Sequence, residues 1–267
     1  ETASMLSMLT GTHTVRIWTA GDQKSKVALV DGATESALIR NGSDVWAWSS
    51  EKQEAVHSTL PATKRPSPTV SPTEAIRTLL TKLDGTTDVT TSGTGYVAGR
   101  AVYQLILSPR ATESLVGQVR VSIDAEHFVP LAAKVLASDG QEAVGVQATA
   151  IDFAVPNDSI FAFQPPAGVT VTARASSGKG EKAEKPKGGA PKTFGTGWAT
   201  VTVVTMPTTG TDQQAEALLD SLPAVSGSWG KGRLLSTTLL TAVITDDGRV
   251  AVGAVVPDAL YRALGSR

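Results

Sequence analysis

The stretch SALIRNGSDVWAW, Ser36 to Trp48, decides the fold. Asn41-Gly42 stands between two apolar runs, and this pair accepts the positive φ values of a type I′ turn, whose twist matches the strands it joins. Beyond the turn, VWAWSS alternates, placing Trp46 and Trp48 on one face and Val45 and Ala47 on the other. The stretch therefore predicts a β-hairpin. Moving outward, the signal recurs: Asp31-Gly32 follows KVALV, and Asp139-Gly140 separates AAKVLAS from AVGVQATAIDF. Repeated hairpin turns over the first 170 residues predict an antiparallel meander. Tyr103, Leu105 and Leu107 share a face, as do Val119, Val121 and Ile123. Both strand faces often carry apolar residues, so one is expected to pack and the other to be covered too.

One helix interrupts the strands. SPTEAIRTLLTKLDG has Ser71 as N-cap, Pro72 at the first helical position and Glu74 three residues after the cap, a capping box. Ala75, Ile76, Leu79, Leu80 and Leu83 form one helical stripe, and Asp84-Gly85 supplies the stop. The helix reads equally as a core helix or as a lid over a cavity.

The composition then shifts. Ala173 to Lys192, ARASSGKGEKAEKPKGGAPK, holds five lysines and no large apolar residue. Such a segment cannot bury enough surface to offset its ordering entropy, which predicts a flexible linker. A phosphate-binding tail is the sharper reading, opposed by Glu181 and Glu184 among the lysines. Behind it the pattern predicts a small α+β unit: a strand from Trp198 to Met206, a helix in DQQAEALLDSL, the run RLLSTTLL, a hairpin turning at Asp247-Gly248, and a closing helix in PDALYRAL. A domain this small is marginal alone and is expected to dock on the first.

The totals exclude several chemistries. Across 267 residues, 24 Lys+Arg balance 25 Asp+Glu, so no broad field draws in nucleic acid. The absence of cysteine removes disulfides, iron–sulfur clusters and thiolate zinc sites. No run of 18 apolar residues occurs to span a bilayer as a helix, and no secretory leader is visible, so an exported protein would have lost its address from this chain. His13, His57 and His127 lie far apart and read as plain surface residues. GTGYVA, Gly93 to Ala98, fits a loose dinucleotide pattern, but a strand-like RAVYQLIL follows where a helix is needed, so it reads as a turn. GSWGKGR, Gly227 to Arg233, lacks the Ser or Thr that a phosphate loop places after its Lys. Nothing points to an enzyme, a metal or a cofactor.

The order of pieces resembles the LolA-type lipoprotein-carrier superfamily. HTVRIWTAG, KVALVDG and ALIRNGSDVWAWSSEKQEAVHSTLP follow its F-x-W strand, hairpin and DG-x-x-(L/V)-W-x-(Y/W) succession, and Phe161-x-Phe163-x-Pro165-Pro166-x-Gly168-Val169 is similar to its closing strand. These stretches cover about 160 residues in order. The C-terminal VAVGAVVPDALYRAL more loosely resembles the second domain of the RseB/MucB branch. Members normally begin with a helix and a strand pair ahead of the F-x-W strand; this sequence opens after them, which leads us to expect an open cavity.

The resemblance implies an incomplete antiparallel β-barrel with a helical lid (residues 1–172), the linker (173–192) and a small α+β domain (193–267). It implies an extracytoplasmic, non-catalytic protein that holds lipid or lipoprotein acyl chains for transport, with transient membrane contact; the alternative is an RseB-like sensor that regulates an anti-sigma factor. Trp18, Trp46, Trp48, Ile76, Leu79, Leu80, Leu105, Leu107 and Phe153 are the expected cavity-lining residues, with ordinary core packing as the competing reading for each.

Overall fold

The computed structural model describes residues 11–60, 85–174, 190–205 and 219–266. The Ser71–Leu83 stripe, most of the linker and most of DQQAEALLDSL lie outside these residues. The fold is mainly β, built of open, almost wholly antiparallel sheets. By its contacts the chain forms two compact units that do not follow chain order: residues 1–67 with 152–183, and residues 68–151 with 184–267.

The first unit holds one six-stranded sheet. Strands β1 (Thr14–Ala20), β2 (Lys24–Asp31), β3 (Thr34–Asn41), β4 (Asp44–Ser49) and β5 (Glu54–Thr59) form the meander the turn residues predict. Gly32 and Gly42 sit in the tight turns at φ +55° and +64°, where a side chain would be strained. The sixth strand, β11 (Thr170–Arg174), joins β5 in parallel, Thr170 opposite Glu54 through Arg174 opposite Ser58. Hairpin turns produce only antiparallel neighbours; β11 returns from a remote part of the chain and is free to run the other way.

The second unit contains two sheets. Strands β6 (Thr87–Val97), β7 (Arg100–Pro109), β8 (Val116–Asp124), β9 (Pro130–Ala137) and β10 (Glu142–Gln147) form an antiparallel meander. GTGYVA proves to be the end of β6, and the turn itself is Ala98-Gly99, both at positive φ.

The C-terminal sheet is ordered β12-β13-β17-β16-β15-β14, from β12 (Lys192–Phe194), β13 (Val201–Thr205), β14 (Ala224–Gly227), β15 (Gly230–Ser236), β16 (Thr241–Thr245) and β17 (Arg249–Gly253). The strand expected from Trp198 starts only at Val201, because Gly197–Ala199 is a 3-10 turn. That turn lets the Trp198 Nε1–H donate to Thr87 Oγ1 of β6 at 2.7 Å. GSWGKGR is the β14–β15 hairpin. A Cβ on Gly232 would stand 2.4 Å from the Ile244 carbonyl oxygen, so this glycine serves close strand packing.

Helix α1 (Pro257–Gly265) opens on Pro257 and carries Asp258 in its first turn and Arg262 in its last, as the helix dipole favours. Its buried face, Ala259, Leu260, Ala263 and Leu264, packs with Val201, Val203, Val243, Ala251 and Val255. The unit is joined across its two sheets at the chain before β8. Ser114 bridges Val255, Leu115 N–H donates to the Ala254 carbonyl at 2.9 Å, and Val256 N–H donates to the Glu113 carbonyl at 2.8 Å. The Arg262 guanidinium adds an ion pair to Glu113.

Candidate ligand-binding faces

Register assigns every strand residue of the first sheet to a face, because directly paired residues point the same way. Trp18, Lys26, Ile39, Trp46 and His57 form one row across β1 to β5, and Ala28, Ala37, Trp48 and Ala55 lie beside it. Ala28, Ala37 and Ile39 are buried, and Trp18, Trp46, Trp48 and Phe163 pack over them. Small residues under large rings explain that arrangement: the alanines leave room for the indoles. The Phe163 ring lies 5.4 Å from that of Trp46 and 6.0 Å from that of Trp48. The imidazole of His57 stacks on Trp46 at 4.4 Å and its Nε2 is 2.9 Å from Asp44 Oδ1. His57 is therefore a built part of the aromatic face and not a plain surface residue.

The opposite face of this sheet is aliphatic. Ile17, Val27, Leu38, Ala47 and Val56 form an unbroken row across five strands. Ile17 is 65% exposed and Leu38 54%.

On the second sheet the row Val89, Leu107, Val119, Val135 and Val144 crosses all five strands. Leu105, Val121, Ala133 and Val146 run beside it. Tyr103, Leu105 and Leu107 share this face with Val119, Val121 and Ile123. Leu107, on the strand next to the β6 edge, is buried, while Val144 (56%) and Val146 (69%) are exposed at the β10 edge.

Of the expected lining residues, the structure brings Trp18, Trp46 and Trp48 onto one face of the first sheet and Leu105 and Leu107 onto one face of the second. Phe153 lies in the irregular segment after β10, outside both bands. Ile76, Leu79 and Leu80 lie outside the described residues. The sequence reading missed Phe163, although its F-x-F motif was the available signal, and it missed Val89, Val144 and Val146, whose place depends on register.

The only strongly perturbed charge cluster of the second sheet lies at one end of it. Asp124 is fully buried and pairs with Arg100 through two guanidinium nitrogens, Arg100 Nη2 standing 3.2 Å from Oδ1. The Asp124 carboxylate also accepts the backbone N–H groups of His127 (2.7 Å) and Glu126 (3.0 Å). Arg100 holds this carboxyl far below the usual range, and the pairing raises the guanidinium in turn. His127 Nδ1 lies 3.0 Å from Arg100 Nη2, so this histidine too is engaged. Among the described residues no cluster of His, Asp or Glu is arranged to hold a metal, and no helix is long and apolar enough to cross a membrane.

The chain was compared with known proteins. No protein-family model matches it, and no curated protein does. Among solved structures it is similar to MucB in complex with MucA(peri), at 17% identity and a TM-score of 0.51, over 94% of this chain and 86% of that one. The Pseudomonas aeruginosa MucA/MucB complex has a TM-score of 0.49 at 16% identity, covering 94% and 86%. A LolA superfamily protein from Nitrosomonas europaea covers 49% of this chain and 58% of its own, at 16% identity and a TM-score of 0.20. At 17% identity the first of these is a likeness of fold.

Proposed function

The chain shares the fold of MucB, and from that premise we propose that it is a non-catalytic, extracytoplasmic binding protein that holds lipid or lipoprotein acyl chains. The observation that carries this is the aliphatic band of the second sheet. Val89, Leu107, Val119, Val135 and Val144 span five strands, about 19 Å at the usual strand spacing. Its exposed edge offers an extended chain an apolar, non-directional surface, and each methylene that it removes from water contributes about 0.8 kcal/mol. The aromatic face with Trp18, Trp46 and Trp48 supplies a second apolar surface, in the first unit.

Native mass spectrometry of the purified protein, followed by organic extraction, tests this reading. A co-purifying lipid or acylated peptide, lost in Val146→Glu, is the expected result; Val146 is exposed enough to accept a charge without unfolding the sheet. An apo mass that stays apo with added lipids overturns it. In that case the second reading takes over, a sensor acting on an anti-sigma factor through protein contacts. It is favoured by the likeness to MucB, solved with MucA(peri), over nearly the whole chain.

A further inference from the structure

We propose that one end of the second sheet is a membrane-contacting tip: Phe128 and Tyr96 enter the interfacial layer of a lipid bilayer, on a loop that the Arg100–Asp124 pair keeps rigid. This does not depend on the acyl-chain reading, since it rests on a different part of the sheet.

In a meander, the β6–β7 and β8–β9 turns lie at the same end. Here they are also tied together, Ala125 N–H donating to the Ala101 carbonyl at 2.9 Å. The tip exposes Tyr96 at 79% and Phe128 at 74% of their surfaces, with Val129 beside them. Phe128 has φ +57°, a left-handed conformation that costs a bulky residue energy and persists only where its surroundings impose it. The surroundings are on hand. Phe128 N–H donates to the Asp124 carbonyl at 3.0 Å, Asp124 N–H donates to the Val129 carbonyl at 2.8 Å, and the buried Asp124 carboxylate holds the N–H groups of Glu126 and His127. The fold thus fixes a phenyl ring outward in water at a conformational cost.

The charge pattern selects the partner. Residues 94–101 and 123–130 contain no lysine, and the single arginine, Arg100, is already bound to Asp124 and Glu126. No free basic group is left to seek an anionic surface. Two exposed rings, one with a phenolic hydroxyl, suit the headgroup level of a bilayer, where an apolar body and a polar end are both satisfied.

The test is flotation of the full chain with phosphatidylcholine vesicles, with and without phosphatidylglycerol, at low and high salt. The wild type is expected to float with both, indifferent to salt. Phe128→Asn and Tyr96→Ser should each weaken partition about fivefold, the loss expected for withdrawing one partly buried ring. Asparagine tolerates the left-handed backbone, so Phe128→Asn should melt no lower than wild type, which separates lost contact from lost folding. Any acyl occupant seen by mass spectrometry should remain in both variants. A wild type that stays at the bottom of the gradient overturns the proposal and transfers the rings to a protein partner. Variants that float like wild type overturn it too, as does flotation that requires phosphatidylglycerol and vanishes in salt.

Discussion

The first sheet and the C-terminal sheet each have six strands, yet their faces are finished differently. The C-terminal sheet lays α1 across one face and closes a core in which Val243, Ala251, Val255 and Leu260 are wholly buried. Arg249 secures that closure: it donates to the carbonyls of Leu264 (3.0 Å) and Trp229 (2.7 Å), joining the end of the helix to the β14–β15 turn. Trp229 and Tyr261 stack at 5.6 Å on the same side, and burial raises the Tyr261 hydroxyl. The first sheet buries three alanines, Ala28, Ala37 and Ala55, and Ile39 on its aromatic face, and leaves an aliphatic row open on the other. Where a sheet's apolar face is covered by its own chain, that surface is spent on stability. Where it is left open, it is available for binding.

Substitutions can break this contrast, beginning with the largest effect. Leu260→Ala should destabilise the C-terminal sheet by about 2–5 kcal/mol, because a fully buried side chain leaves a cavity. Faster hydrogen exchange of the β16 amides measures it; unchanged exchange would mean that α1 does not stabilise the sheet. Arg249→Ala should cost about 1–3 kcal/mol by the same measurement, since two half-buried carbonyls lose charged donors.

Acid should act in the same place more weakly. The Arg249 guanidinium, with Thr245, lowers Asp247 from 3.8 to about 2. A folded value below the unfolded one means that the folded state binds fewer protons, so this contribution is complete above pH 4 and disappears as pH falls towards 2. Asp247→Asn should flatten the pH dependence of the β16 amides' protection, their exchange rates relative to the intrinsic ones, over that interval. The smallest effect is expected on the open face: Ile17→Ser and Leu38→Ser should each change stability by no more than about 0.5 kcal/mol. Losses of several kcal/mol there would show that the row is covered in solution, and the contrast between the sheets would fall.

The sequence by itself determined the hairpins. Asp31-Gly32, Asn41-Gly42 and Asp247-Gly248 mark turns that the structure contains, but they are not the type I′ turns expected: only the glycine of each pair takes a positive φ, while Asp31 and Asn41 are the last strand residues before the loops Gly32-Ala33 and Gly42-Ser43. It also determined which neighbours share a face, Trp46 with Trp48 and Leu105 with Leu107, since strand alternation is local. Helix α1 was legible from Pro257 and its apolar spacing. Tertiary structure decided the rest: the parallel seating of β11, the docking of Phe163 on Trp46 and Trp48, and the insertion of β17 between β13 and β16. It also gave the candidate surfaces their makeup, aligning Val89 with Val144 across five strands and burying Asp124 against Arg100, 24 residues away. The physical reason is range. Turn dihedrals and side-chain period are properties of a few consecutive residues, whereas register, strand order and ion pairing are chosen among distant segments by what they bury together.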